Sequence, residues 1–177
     1  MRLLLISAGA VYSDGGDTVR FDIKNRYNVL KEAINESSKK VLVFIPFKHI
    51  IDVLSEKLTK DGITCAVIRG DVSVSNRTNI FKRFQETTDP QVLLIQPQAA
   101  AHGVTLTAAS TVVWWGPTSS LETYAQANAR VHRSGQTSKC TVVQLQGSAV
   151  ERRVYKLLDA RIDVHAKMID LYKEILD

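Results

Sequence analysis

The sequence is poor in cysteine, methionine and proline and has no long apolar run. Only Cys65 and Cys140 are cysteines, far apart in apolar stretches. No CxxC pair occurs, so neither a disulfide framework nor a thiolate zinc site is expected. Both read as small buried residues of a reducing compartment. The four histidines, His49, His102, His132 and His165, show no metal-ligand spacing. No stretch of about 18 apolar residues exists, which argues against a membrane span. The apolar opening, MRLLLISAGA, is brief and leads into patterned sequence, so it reads as a strand or packed segment rather than a signal. There is no Gly-Lys-Ser/Thr tripeptide and no Asp-Glu pair closing a strand. The chain therefore lacks both a phosphate-cradling loop and the acidic site that holds Mg²⁺ beside it.

What is present suits one ordinary domain. Hydrophobic residues make up 45% of 177, enough for a normal core. The net charge is +5 and the pI near 9.3. A mild basic excess fits contact with phosphates, although many enzymes share it.

From residue 41 the pattern alternates strand and helix. VLVFI (41–45) is a continuous apolar run, as expected of a strand buried on both faces, and TCAVI (64–68), QVLLI (91–95), STVVWW (110–115) and TVVQL (141–145) read as four further strands. Helices fit between them at 48–60, at 75–85 with Ser75 as N-cap, and at 120–132. A hairpin over Val11–Ile23, turning at Ser13-Asp14-Gly15-Gly16, and a helix over 26–38 come first. Residues 149–176 read as one long helix or two, with an apolar stripe through Val150, Val154, Leu157, Val164, Met168, Leu171 and Ile175. The fold class is α/β, a parallel sheet with helices on both faces and right-handed crossovers. Ligands of such sheets sit at the carboxyl ends of the strands. The expected organisation is 1–39 as a leading hairpin and helix, 40–148 as the core, and 149–177 as a helical segment packed on it.

The most informative stretch is Gln126-Ala-Asn-Ala-Arg130-Val-His-Arg133-Ser-Gly-Gln136. Ser119 with Glu122 makes a capping-box start and Gly135 a natural stop. On one helix, Gln126, Arg130 and Arg133, spaced by four and three, share a face. A guanidinium is always ionised and offers a fixed fork of donors, which suits charge developing on a transferring phosphoryl group. The plainer reading is a pair of surface arginines near a helix C-terminus, where cations are favoured anyway.

QANARVHRSGQ resembles motif VI of the Swi/Snf-type branch of superfamily 2 helicases. Other segments follow in the family's order. KVLVFIPFK (40–48) resembles motif IV, RGDVSVSNRTNIFKRF (69–84) the next block, LLIQPQAAAHGVTL (93–106) motif V, and TVVWWGPTSSLETYAQ the link into motif VI. The resemblance covers nearly the whole chain. It implies a RecA-like C-terminal lobe of P-loop NTPase type, one half of an ATP-dependent DNA helicase or translocase. Departures are Ala100-Ala101 for Gly-Gly, Thr105 for Asn, Thr118-Ser119-Ser120 for Asp-Trp-Asn, and Gln96 or Pro97 where a Ser/Thr touches DNA phosphate. They point to a divergent branch of bacteriophage or prokaryotic origin, and hence to the cytoplasm of a prokaryotic or phage-infected cell.

The resemblance further implies ATP and Mg²⁺ held mainly by a first RecA-like lobe, in the same polypeptide or a split subunit. Arg130 and Arg133 would be arginine fingers, with Gln126, Gly103 and Val104 beside the nucleotide. Lys48, Arg69, Arg77, Gln96 and Gln98 would line a DNA track of phosphate contacts, and each also reads as an ordinary solvated side chain. Trp114 and Trp115 read as a base-stacking pair or as core, with at least one of them core. The chain is expected to be a fragment or one half of a split machine, inactive alone. Two alternatives stand beside this: a catalytically silent nucleic-acid-binding module using the same basic face, and another α/β enzyme such as a sugar-nucleotide transferase. The second lacks a well-placed acidic or histidine group at a strand end.

Overall fold

The computed structural model describes residues 2–12, 18–101 and 104–176; of these, 2, 10–12, 18, 100–101 and 163–176 are described by backbone alone. The opening segment is helix α1 (Arg2–Ala8), not a strand. Its leucines are good helix formers, and Ala8 is fully buried. Gly9, at φ 108°, ends it: its amide bonds back to the carbonyls of Leu5 and Ile6, in a conformation glycine adopts at little cost. Strands β1 (Ala10–Tyr12) and β2 (Thr18–Arg20) pair antiparallel with Val11 opposite Val19. The expected turn at Ser13–Gly16 lies outside the described residues.

Helix α2 (Lys24–Glu36) precedes the sheet strand β3 (Lys40–Phe44). Then follow α3 (Lys48–Lys60), β4 (Cys65–Ile68), α4 (Val74–Glu86), β5 (Val92–Ile95), a short 3₁₀ turn (Pro97–Ala101) and β6 (Ala109–Trp114). Helix α5 (Leu121–Asn128), β7 (Thr141–Gln144) and α6 (Ala149–Leu176) complete the chain. The five strands β3 to β7 are parallel, in the order β4-β5-β3-β6-β7. The N-cap of α4 is Ser73 rather than Ser75, its hydroxyl accepting from the amide of Asn76 at 3.3 Å.

Alternation along the strands builds two cores. Val41, Val43 and Ile45 face α2 and α3, burying Tyr27, Leu30, Ile34, Ile50, Ile51, Leu54 and Leu58. Leu42 and Phe44 face the other way, onto Phe81 and Phe84 of α4, Tyr124 and Ala127 of α5, and Tyr155 and Leu158 of α6. Helices thus cover both faces, as the continuous apolar strands demand. Consecutive residues point to opposite sides, so Trp114 and Trp115 enter different cores, both with 0% exposure. Trp114 stacks on Phe44 at 4.7 Å and donates to Asn128 Oδ1, while Trp115 donates to the Ala8 carbonyl. Neither is free to stack on a base. Because the strands are parallel, the loops after Phe44, Ile68, Ile95, Trp114 and Gln144 share one edge of the sheet.

Candidate functional site

The arginine-bearing segment does not continue as a helix. Ser120, not Ser119, caps α5, accepting from the Thr123 amide at 3.2 Å. The helix ends at Asn128, and residues 129–136 form turns. Local geometry shows why. The amides of Arg130 and Val131 bond three residues back, to Ala127 and Asn128, and the carbonyl of Arg130 is taken by the amide of Leu106 at 2.9 Å. That carbonyl is no longer available to the next helical turn. Val131 is drawn into the second core with 1% exposure. Arg130 and Arg133 therefore lie on a turn, not on one helix face with Gln126. Gln126 is exposed and donates to Glu122 of its own helix.

The two arginines differ. Arg130 is buried, at 6% exposure, whereas Arg133 is exposed and its Nη1 lies 3.2 Å from Thr105 Oγ1. Burial, with the nearby Arg133 guanidinium, holds the pKa of Arg130 below the ordinary arginine value. Two like charges are thus kept within electrostatic reach in a partly desolvated place. Such a pair favours an anion between or beside them.

Gln136 fixes this turn. Its amide nitrogen reaches the carbonyls of Thr107, Ala109 and Val131 at 3.3, 2.8 and 3.3 Å, and its oxygen accepts from Lys39 Nζ and the Ser138 amide. The segment after the 3₁₀ turn and the arginine turn are therefore held together. Val104 lies in that segment, half-buried; Gly103 and His102 lie outside the described residues.

Four of the five residues expected to line a track meet around the loop after β4. Arg69 pairs with Asp52 at 2.6 Å and Asp71 at 2.9 Å, and Lys48 pairs with Asp71 at 2.8 Å. Gln96 accepts from the Gly70 amide. The hydrogen bond from Lys48, with the charge of Arg69, holds Asp71 below the usual carboxylate range; the Asp52 hydrogen bond raises Arg69 above its own. Arg77 does something else: its guanidinium donates to the carbonyls of Val72, Arg69 and Gly70, tying the loop to α4. Gln98 is exposed on the 3₁₀ turn.

Sequence reasoning missed one buried pair at the same edge. Arg26 Nη2 meets Glu151 Oε2 at 2.6 Å, with side-chain exposures of 9% and 0%. Arg26 also donates to the Trp115 carbonyl and stacks over the Trp115 ring. Glu151 accepts in turn from the Gly147 amide at 2.8 Å, and its own amide donates to Ser148 Oγ. Ser148-x-x-Glu151 is a capping-box signal that the sequence offered. Among the described residues no group of three or more His, Cys, Asp or Glu could hold a metal ion.

Comparison with known proteins gives this geometry a context. Residues 25–135 match the family model described as "Helicase conserved C-terminal domain". An uncharacterized ATP-dependent helicase, MG018, of Mycoplasma genitalium is 31% identical over 147 residues, covering 80% of this chain and 14% of that protein. The DNA repair protein RAD5 of Cryptococcus neoformans is 35% identical over 136 residues, 72% of this chain and 11% of its own length. The chromatin-remodeling ATPase INO80 of Homo sapiens is 32% identical over 131 residues, 71% of this chain and 8% of its own. The chain thus spans under a sixth of these relatives. Among solved structures, the C-terminal part of the Fun30 ATPase domain superposes with a TM-score of 0.69 at 24% identity, over 77% of this chain and 44% of that one. The C-terminal domain of the DEAD-box protein Dbp5 gives 0.66 at 21%, over 78% of each.

Proposed function

The chain belongs to the helicase C-terminal domain family, as the C-terminal RecA-like lobe of a Swi/Snf-type superfamily 2 helicase, and from that premise we propose that it completes an ATPase whose phosphate loop and Mg²⁺ site lie on a first RecA-like lobe. The observation that carries the reading is the arginine turn. Arg130 and Arg133 are close enough for one to depress the pKa of the other, and Arg133 stands at the surface beside Thr105. The triphosphate of ATP, bound between the lobes, supplies the anion such a pair favours. Their guanidinium forks neutralise charge on the γ-phosphoryl oxygens as the bond to the leaving diphosphate breaks and water attacks. ATP and Mg²⁺ are bound mainly by the partner lobe.

Along the same edge, Lys48, Arg69, Gln96 and Gln98 supply contacts to the phosphates of DNA. Such contacts position the strand and carry no sequence information. Arg77 serves by holding the loop on which Arg69 stands.

The test is to join this chain to a first lobe, in one polypeptide or as two subunits, and measure DNA-stimulated ATP hydrolysis. Arg133→Ala is expected to lower turnover by about 10³-fold or more, the range for an arginine finger, with DNA binding largely kept. Turnover surviving within about tenfold would remove Arg133 from the role. The chain alone is expected to show no hydrolysis. The burial of Arg130 favours a second reading, a catalytically silent nucleic-acid-binding module in which that arginine only holds the turn. On that reading, joining a first lobe yields no ATPase and Arg130→Ala lowers only the melting temperature.

A further inference from the structure

Helix α6 begins just past the tip of β7, and its first turns sort charge by side. Glu151, Tyr155 and Leu158 are buried, and Val154 and Ile162 half-buried, on the face toward the sheet. Arg152, Arg153 and Lys156 are exposed and point away from that face, and Arg161 is exposed at its flank. Of the two acids between residues 149 and 162, only Asp159 is exposed beside them, three residues after Lys156. Glu151 is turned inward onto Arg26, and the carboxylate of Asp159 accepts from Gln144 Nε2 at 3.1 Å and Tyr124 Oη at 3.4 Å. Among the described residues no ion pair involves Arg152, Arg153 or Lys156, whereas Lys48 after β3, Arg69 after β4 and Arg26 on α2 are all paired.

This arrangement runs against the helix. Cations near a helix N-terminus oppose the macrodipole, which favours anions there. Arg152 and Arg153 stand near the start of α6, and Lys156 follows within about 10 Å of that start at 1.5 Å per residue. An arrangement that sets three cations against one exposed carboxylate, with no ion pair among the described residues, suits an external polyanion.

We propose that this face of α6 is a second phosphate-binding surface for nucleic acid, continuing the strand-tip track around the corner of the lobe through Arg152, Arg153 and Lys156. The inference rests on the reading of the strand-tip edge as a nucleic-acid track, because continuity with that edge is what favours a phosphate backbone over an acidic protein. Leu157 and Val150, exposed at 60% and 37%, are the two large apolar side chains exposed on the described part of α6, too few to make a docking groove.

The experiment is a salt titration of binding to a fluorescein-labelled single-stranded oligonucleotide, using the full chain. Removing one cation that neutralises a phosphate lowers the slope of log K against log salt by about 0.7 for single strands. Replacing Arg152, Arg153 and Lys156 together by Ala, a residue that favours helix, should lower the slope by about 2, three times that increment. It should weaken binding at low salt by about tenfold or more. Arg152→Lys with Arg153→Lys should keep the slope, which separates charge from folding. Lys48→Ala with Arg69→Ala is the companion variant. If that companion lowers the slope and the α6 triple variant does not, the inference falls while the track stands. If neither moves it, the nucleic-acid reading itself fails and takes the inference with it. Loss of binding to a polyglutamate peptide in the triple variant, with DNA binding intact, also overturns it, in favour of an acidic protein partner.

Discussion

Removing Glu151 should cost this lobe a large part of its stability, and the structure sets the scale. Glu151 is fully buried and Arg26 nearly so, and they meet at 2.6 Å. One carboxylate oxygen, Oε2, receives Arg26, the Gly147 amide and the Ser148 hydroxyl, while Oε1 accepts no hydrogen bond among the described residues. Glu151→Ala strands a guanidinium in the interior and leaves the Gly147 amide without its acceptor. Breaking a buried pair from one side costs about 3–5 kcal/mol. In a domain of this size each kcal/mol moves the melting temperature by about 2–4 °C, so the expected drop is about 6–20 °C. Glu151→Gln keeps the shape and one acceptor, and should lose less. The double variant Arg26→Met, Glu151→Leu removes both charges, and should be more stable than the sum of the two single losses implies. Thermal unfolding followed by circular dichroism reads each of these variants and the single substitutions Arg26→Met and Glu151→Leu. A drop under about 2 °C for Glu151→Ala, or strict additivity in the double variant, would refute the claim that the pair anchors the loops after β6 and β7.

Two further outcomes follow from the same edge of the sheet. Gln136→Ala removes an amide that bridges three carbonyls and should destabilise by about 1–3 kcal/mol, the cost of leaving buried polar groups unsatisfied; the more specific sign is faster hydrogen exchange at the Leu106 amide, which bonds to the Arg130 carbonyl, and unchanged exchange there would remove Gln136 from its clamping role. Asp71 has its pKa depressed by Lys48 and then Arg69, so its contribution is present above the unfolded value of about 3.9 and is lost as pH falls through the lower folded value; urea unfolding should find Asp71→Asn weaker than the parent at pH 6 with the gap closing toward pH 3, and a gap independent of pH would contradict the pairing.

The sheet and its covering helices were legible because their signals are local. Continuous apolar runs such as 41–45 and 92–95 have strand length and suit strands with both faces covered, and the structure divides their side chains between two cores. The end of α5 was not legible. Gly135, at φ 94°, does mark a turn, but the helix has already stopped at Asn128, because Leu106 captures a carbonyl and Val131 is pulled into the core. Both causes come from residues brought in by the fold. The same holds for Arg77, whose charge suggests a DNA contact and whose geometry gives it three carbonyls of its own lobe. The Arg26–Glu151 pair joins residues 125 positions apart, which no local pattern announces.

The shortening of α5 changes what kind of object the arginine turn is. On a continuous helix, Arg130 and Arg133 would be carried by α5 and move with it. On a turn they are carried by whatever the turn is bonded to: Leu106 through the Arg130 carbonyl, Thr105 through the Arg133 guanidinium, and Thr107 and Ala109 through Gln136. All four partners lie on the single segment that leaves the 3₁₀ turn and enters β6. At the other end of that 3₁₀ turn stands Gln96, whose side chain accepts from the Gly70 amide in the loop bearing Arg69 and Asp71. Gln96, before the 3₁₀ turn, therefore touches the ion-paired loop, and residues 105–109, after it, touch the arginine turn. Packed, hydrogen-bonded elements shift between discrete arrangements rather than deform smoothly. On the function proposed above, an anion at Arg133 and a phosphate strand at Lys48 and Arg69 that each favoured one such arrangement would bias each other's affinity by the same factor, as linkage requires.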